Sequence, residues 1–337
     1  VEAQSQTERR EASDGNGGLT RRRFLCGVAA TAGMGWLPSA RAGSGRDRLT
    51  LPPNTPPAEV VVVKSEHVFA NDSVHTVLLA ELLGNLLMTL TGTGNERQAW
   101  QAVLRPDDVI GLKFNQSGQS VLGTTPAVAD ALIRSLIVAG WPTEQIVCIE
   151  APAETLACHR TQAAWTGYDS APTDFGSGSD HFALVLRQIT ALIDVAFLKS
   201  HNIAGMTGCL KNLSHGLVQH PARYHGNGCA PYIGDIVAAE PIRSKLRLCV
   251  VDGLRVPYAG GPTPRPEATT NAGLLMVAKD PVAADSVGLG ILNGIRRERE
   301  LEPIARSAEH LPYLAGAHRA GVGIALPAGI RVTRLSG

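Results

Sequence analysis

The chain has almost no charge imbalance: 31 Lys plus Arg stand against 30 Asp plus Glu, a formal net charge of +1. A dedicated nucleic-acid binder carries a basic excess, and a disordered solvating chain carries a large net charge, so neither class fits. Aromatic residues make up 4%, too few for the stacking platforms that hold single-stranded nucleic acid or glycans. No two of the six cysteines are spaced C-x-x-C, so no iron–sulfur or zinc-ribbon motif is present. No apolar run reaches the ~20 residues that span a bilayer, so stable membrane insertion is not expected. What remains is 337 residues at 44% hydrophobic, with 36 Gly and 21 Pro. That is chain enough for a large core interrupted by many turns.

The first segment reads as an address. Residues 1–19 are polar and Gly-rich without periodicity. Thr20-Arg21-Arg22-Arg23-Phe24-Leu25 then precedes a mild apolar stretch from Cys26 to Leu37, and Pro38 and Ala40-Arg41-Ala42 follow. Twin arginines, a short Ala/Gly-rich core and small residues at the cleavage spacing are the layout of a twin-arginine export signal. The expectation is a signal over 1–42, a Gly/Arg/Pro-rich linker over 43–57 and an α/β domain over 58–337. The twin-arginine translocase is then a partner during export. A periplasmic or extracellular location follows, and this route carries proteins that fold first.

Beyond the linker, apolar strand-like runs alternate with amphipathic helical ones. Strands are expected at Val60–Lys64, Asp108–Phe114, Gln145–Glu150, Ile189–Leu198, Lys245–Val251 and Gly273–Ala278. Helices are expected from Val74 (capped by Ser73), from Pro126 (capped by Thr125, with Gly140 past its end) and from Pro281 (capped by Asp280). Such alternation with short connections argues an α/β fold: a mostly parallel sheet with helices on both faces.

Polar residues follow the apolar strands at once: Lys113 and Asn115, Glu150, Lys199-Ser200-His201, Asp252, and Lys279-Asp280. In open parallel sheets ligands bind beyond the carboxyl ends of the strands, so these groups are expected to line one crevice. Gly205-Met206-Thr207-Gly208-Cys209-Leu210-Lys211-Asn212 reads as a turn into a helix capped by Thr207. Its free N–H groups, with Lys199 and Lys211, suit a carboxylate or phosphate. The spacing is not that of a nucleotide-binding loop. His201, His215, His220 and His225 crowd one window, which makes a divalent metal a candidate cofactor, with His201 and His225 as its ligands. Acid–base use of His201 or His225 is an equal alternative. Cys148 and Cys249 read as buried small hydrophobes, and Cys209–Cys229 as the one candidate disulfide.

Six motifs in one order resemble the domain of unknown function 362 family. They are Asp108-Val109-Ile110-Gly111-Leu112-Lys113-Phe114-Asn115; Thr125-Pro126 with Ala131-Leu132 and Ala139-Gly140; Leu198-Lys199-Ser200-His201; Met206 to Leu213 with Gly216; Val251-Asp252-Gly253 with Gly261-Pro262; and Asp280-Pro281-Val282-Ala283-Ala284-Asp285. Phe114 stands where the family usually has Pro. Many relatives carry an added ferredoxin-like domain, which this sequence lacks. The resemblance implies the fold and site positions Lys113, Asn115, Lys199, His201, Lys211, Asn212, Asp252, Asp280 and Asp285, but no reaction.

The expectation is therefore a crevice for an anionic small molecule. Lys199, His201, Lys211 and Asp252 would be its catalytic groups if there is turnover. Lys113, Asn115, Thr207, Asn212, Asp280 and Asp285 would bind the ligand. The alternative is a periplasmic ligand- or metal-binding accessory protein without turnover.

Overall fold

The computed structural model describes residues 49–153, 155, 162–163 and 167–337. The expected export signal lies outside the described residues, as do most of the linker up to 48, Cys158 and His159. Among the described residues, no helix is long and apolar enough to cross a membrane.

Fourteen strands are described. Eight form the main sheet: β1 (Ala58–Lys64), β4 (Ile110–Lys113), β5 (Ile146–Ile149), β6 (Gln162–Ala163), β9 (Ala191–Phe197), β12 (Leu246–Pro257), β13 (Thr269–Ala278) and β14 (Ile330–Ser336). The others pair as short hairpins: β2 (Phe69–Ala70) with β3 (Ser73–Val74), β7 (Thr173–Asp174) with β8 (Ser179–Asp180), and β10 (Lys199–His201) with β11 (Gly205–Thr207). The main sheet runs β14-β1-β13-β12-β9-β4-β5-β6, parallel at every pair except the two made by β13.

Alternation along each strand divides the core in two. Ile110, Leu112, Ile193, Val195, Val250 and Val277 face helices Thr76–Thr91, Glu96–Gln101 and Thr125–Ala139. Leu192, Ala196, Cys249, Val251 and Met276 face helices Cys209–Gly216, Tyr232–Ala238 and Pro281–Arg297. Both faces are covered, which is why Val60-Val61-Val62-Val63 can be an unbroken apolar run. The α/β expectation describes this architecture.

Several local expectations need correction. Ser73 lies in the β2–β3 hairpin, and the Nδ1 of His75 caps the 76–91 helix by accepting from Leu78 N–H at 3.2 Å. Thr124, not Thr125, precedes the 125–139 helix, and its hydroxyl is spent on Asp252. The fifth strand does not stop at Val251. It runs to Pro257, because residues 252–257 pair with β13. β14 was not foreseen, since its residues are only partly buried at a sheet edge and carry no strong apolar alternation.

The chain order fixes where a ligand can enter. From β4 the chain crosses over the 125–139 helix to β5 and β6. It then returns to β9 on the other side of β4 and leaves through the 209–216 helix toward β12. β4 and β9 are therefore neighbours whose following loops depart to opposite faces. That is the topological switch point at which open α/β sheets bind ligands.

Candidate functional site

Beyond the ends of β4 and β9 lies a dense set of buried polar side chains. Lys113 is fully buried at the end of β4. Its ammonium donates to the Phe114 carbonyl (2.6 Å), Glu150 Oε2 (2.9 Å) and Asn212 Oδ1 (3.0 Å). All three of its N–H bonds are spent, so Lys113 and Asn212 form the floor of the site. Asn212 donates in turn to Asp194 Oδ1 at 2.7 Å. Burial pushes the Asp194 carboxyl well above its usual range despite the nearby Lys113 charge, and its Oδ2 has no partner. Gly216 is required here, because a Cβ would run into the Lys113 ammonium.

Lys199 opens the β10–β11 hairpin and is 1% exposed. Its ammonium donates to the Ser117 carbonyl and reaches Ser117 Oγ at 3.2 Å. Asn115 prepares that partner: its Oδ1 accepts from Ser117 N–H at 3.0 Å and shapes the turn after β4. Thus the loops after β4 and β9 meet at the switch point. Burial, and next the Lys211 charge, push Lys199 down to about 8 against a weaker upward pull from Glu150. Lys211 is 7% exposed on the 209–216 helix and is pushed to about 8, chiefly by burial. Its ammonium meets His225 Nε2 at 3.2 Å. Among the described residues neither Lys199 nor Lys211 has an ion pair.

Thr207 lies directly across the hairpin from Lys199, so their side chains share a face. Thr207 is a strand residue and not the expected helix cap, and its hydroxyl is buried without a partner. The helix cap comes from far along the chain. Asp285 accepts from Cys209 N–H at 2.6 Å and Leu210 N–H at 3.2 Å, with Tyr313 O–H at 3.4 Å. Gly208 leaves room for it, because a Cβ there would collide with that carboxylate. The helix N-terminus expected to take a ligand anion therefore already holds one of the chain's own. Burial raises Asp285 to about 7 even so.

Two other expected residues are elsewhere. Asp280 follows the antiparallel strand β13, whose last residue Ala278 pairs with Val60 and Cys249 near the starts of β1 and β12, and so sits at the opposite end of the sheet from the switch-point groups. There it accepts from Val282, Ala283 and Ile324 N–H groups and caps the 281–297 helix. Asp252 points to the other face of the sheet, where Thr124 Oγ1 (2.6 Å) and Leu254 N–H (3.1 Å) donate to it. Burial lifts it to about 6.

The histidine window divides. The rings of His201 and His215 lie 5.8 and 4.7 Å from that of His225. His220 instead bonds Asp180 through Nδ1 at 2.9 Å. His201 is tied into its hairpin: Nδ1 accepts from Ile203 N–H (3.1 Å) and Ala204 N–H (3.2 Å). Burial and the charges around it push it down to about 3, so it stays neutral near pH 7. His215 is pushed to about 2, again chiefly by burial. The ligating atoms of His215, His225 and Cys229 lie within 4.8 Å of one another, and His201 is not in that set. The candidate Cys209–Cys229 disulfide is not formed. Both thiols are free, and the Cys209 thiol shares a hydrogen bond with the free Cys249 thiol.

Sequence reasoning missed Ser117, Asp194 and Cys229 as parts of the site, and named His215 in the histidine window without choosing it as a ligand. Asp194 did leave a signal, as the one charged residue in the apolar run Ala191–Phe197. Ser117 left none, since it acts through a carbonyl as well as its hydroxyl.

Residues 176–290 match the family model of a domain of unknown function, DUF362. The match takes in β9, the β10–β11 hairpin, the 209–216 helix and Asp285, so Lys199, His201, Lys211 and their cap all fall inside it. Lys113, Asn115 and Ser117 precede it in sequence and join it at the switch point. Two glycines inside the matched range have a visible role. Gly208 and Gly216 bracket the helix that carries Lys211, and each admits a buried charged group. No curated protein matches the chain.

Proposed function

We propose that this chain is an exported α/β protein whose switch-point site binds a small anion, a carboxylate or phosphate. The observation that carries the reading is the pair Lys199 and Lys211. Both are buried, push against each other's charge and have no carboxylate partner among the described residues. A buried cation without a counter-ion is costly, and a ligand anion would offset that cost. The unpartnered Thr207 hydroxyl on the Lys199 face supplies a further donor. Small size follows from the enclosure: Lys199, His201 and Lys211 are each under 9% exposed. The cavities along the 281–297 helix, one of about 370 Å³ lined by Val62, Ile291 and Arg334 among others, contain none of these groups.

Lys199 and Lys211, held to about 8, are the candidates for proton transfer should there be turnover, since Asp285, at about 7, is committed to capping the 209–216 helix. Capture without turnover is the second reading. What favours it is that His201 and His215 are held neutral and Asp252 faces away.

Calorimetric titration with phosphate, sulfate and small dicarboxylates tests the reading. Binding is expected in the wild type, at least tenfold weaker in Lys199→Met and in Lys211→Met. Unchanged affinity in both variants would sink it. Export rests on the sequence signal alone. Replacing Arg21 and Arg22 by Lys should leave the protein in the cytoplasm on cell fractionation.

A further inference from the structure

We propose that His215, His225 and Cys229 form a transition-metal site, suited to zinc, with one coordination position left open beside Lys211. The inference goes beyond the anion reading and does not depend on it. His215 ends the 209–216 helix, and His225 and Cys229 lie on the following loop and short turn. Their ligating atoms already lie within 4.8 Å of one another. In a tetrahedral site with Zn–N of about 2.0–2.1 Å and Zn–S of about 2.3 Å, ligand atoms lie about 3.4–3.6 Å apart. The three groups need to close by about 1 Å.

The second contacts of the two rings orient them for this. His225 Nδ1 faces the Ala222 carbonyl at 3.3 Å. A carbonyl only accepts, so the proton sits on Nδ1 and the lone pair on Nε2, the atom that meets the Lys211 ammonium. His215 Nδ1 lies 3.0 Å from Ser214 Oγ, while its Nε2 is buried with no partner at all. An unpartnered buried ring nitrogen is destabilising, and a metal would satisfy it. Two imidazoles and a thiol select zinc or copper(I) over calcium and magnesium, which take oxygen ligands. Three protein ligands leave a fourth position for water or an anion. The Lys211 ammonium now rests on His225 Nε2, so it must withdraw as the metal arrives. The Cys229 proton leaves to solvent, since the thiolate is the ligand.

A second set, Asp194, Cys209 and Cys249, also brings ligating atoms within 4.8 Å, but all three residues are fully buried where β9 and β12 meet the start of the 209–216 helix. It serves as the internal control. The test is titration of metal-stripped full-length protein with Co²⁺, read by the thiolate-to-cobalt charge-transfer band in the near ultraviolet, followed by displacement with Zn²⁺. One equivalent with that band is expected, along with loss of the band in Cys229→Ser. Affinity should fall about 10-fold or more in His215→Ala and in His225→Gln, and stay unchanged in Cys249→Ser. Lys211→Met should bind more tightly, because the competing ammonium is gone. Should Cys229→Ser fail to fold by circular dichroism, His225→Gln on the loop decides the matter alone. No band in the wild type, a band that survives in folded Cys229→Ser, or full affinity in His225→Gln would overturn the proposal. So would loss of the band in Cys249→Ser.

Discussion

The two faces of the sheet are built from the same strands and covered by helices of similar kind, yet they differ in what they bury. Under the 76–91 and 125–139 helices the core is nearly all hydrocarbon, from Leu79 to Ile193, with Asp252 and Thr124 as a closed pair at its upper edge. Under the 209–216 helix the sheet meets Lys113, Asp194, Lys199, Lys211, Asn212 and Asp285, each buried. The first face is where stability is made. The second gives up some of that stability to hold charges apart from water, which is how sites that bind or react are commonly arranged. The difference starts at single strand positions. Leu112 and Lys113 are adjacent in β4 and point to opposite faces, as do Ile193 and Asp194 in β9.

Substitutions can break that contrast or sharpen it. The largest effect is expected on the dry face: Leu86→Ala, at a fully buried position of the 76–91 helix, should cost about 2–5 kcal/mol in denaturant unfolding and leave anion affinity intact. Asp285→Ala should cost about 2–4 kcal/mol, because it orphans the Cys209 and Leu210 N–H groups together, and it should also weaken anion binding. A ligand-facing role for Asp285 would instead lower affinity with little change in stability.

Lys199→Met should do the reverse of Leu86→Ala. With the uncompensated cation gone, the ligand-free protein should gain about 1–3 kcal/mol at pH 7 while anion binding is lost. The pH dependence checks the cause. The folded state holds Lys199 at about 8, below its ordinary 10.5, so between those values the unfolded chain binds more protons. Lys199 and Lys211 therefore each contribute a rise in stability from pH 8 toward 10.5, opposed by the buried Cys209, Cys229 and Cys249 thiols, whose values burial pushes up so that the folded state keeps protons the unfolded chain loses. The rise should shrink in Lys199→Met. An unchanged slope would mean that Lys199 is not the strained group.

An effect of the same size as that of Lys199→Met is expected at Asp252. Asn can keep the bond from Leu254 N–H, and the Thr124 hydroxyl can turn to accept. Asp252 is raised from 3.8 to about 6, so the wild type loses stability as pH climbs through that window and the loss persists above it. Asp252→Asn should therefore look better at pH 8 than at pH 4, by about 1–3 kcal/mol, in paired unfolding curves. A direct ligand role would show instead as lost anion affinity.

Much of this molecule was legible before any coordinates. The apolar strands from Val60 to Ala278, the Pro- and Gly-marked ends of the 125–139 helix and the α/β class all follow from local periodicity and capping chemistry. The order of motifs placed Lys199, His201 and Lys211 in one neighbourhood, because they are close in the chain and flank a single hairpin. Strand direction and strand order were not legible, since they depend on which strands pair and not on any residue's own preference. The antiparallel course of β13 sends Asp280 to the opposite end of the sheet. The return of the chain to β9 brings Ser117 to Lys199. Asp285 caps a helix that begins 76 residues earlier in the chain. The division of the histidines into a three-ring cluster and a His220–Asp180 pair is likewise set by packing. Local sequence fixes what a segment can be, through its backbone preferences and its apolar face. Which charges end up buried together is decided only when distant segments exclude water from the same place.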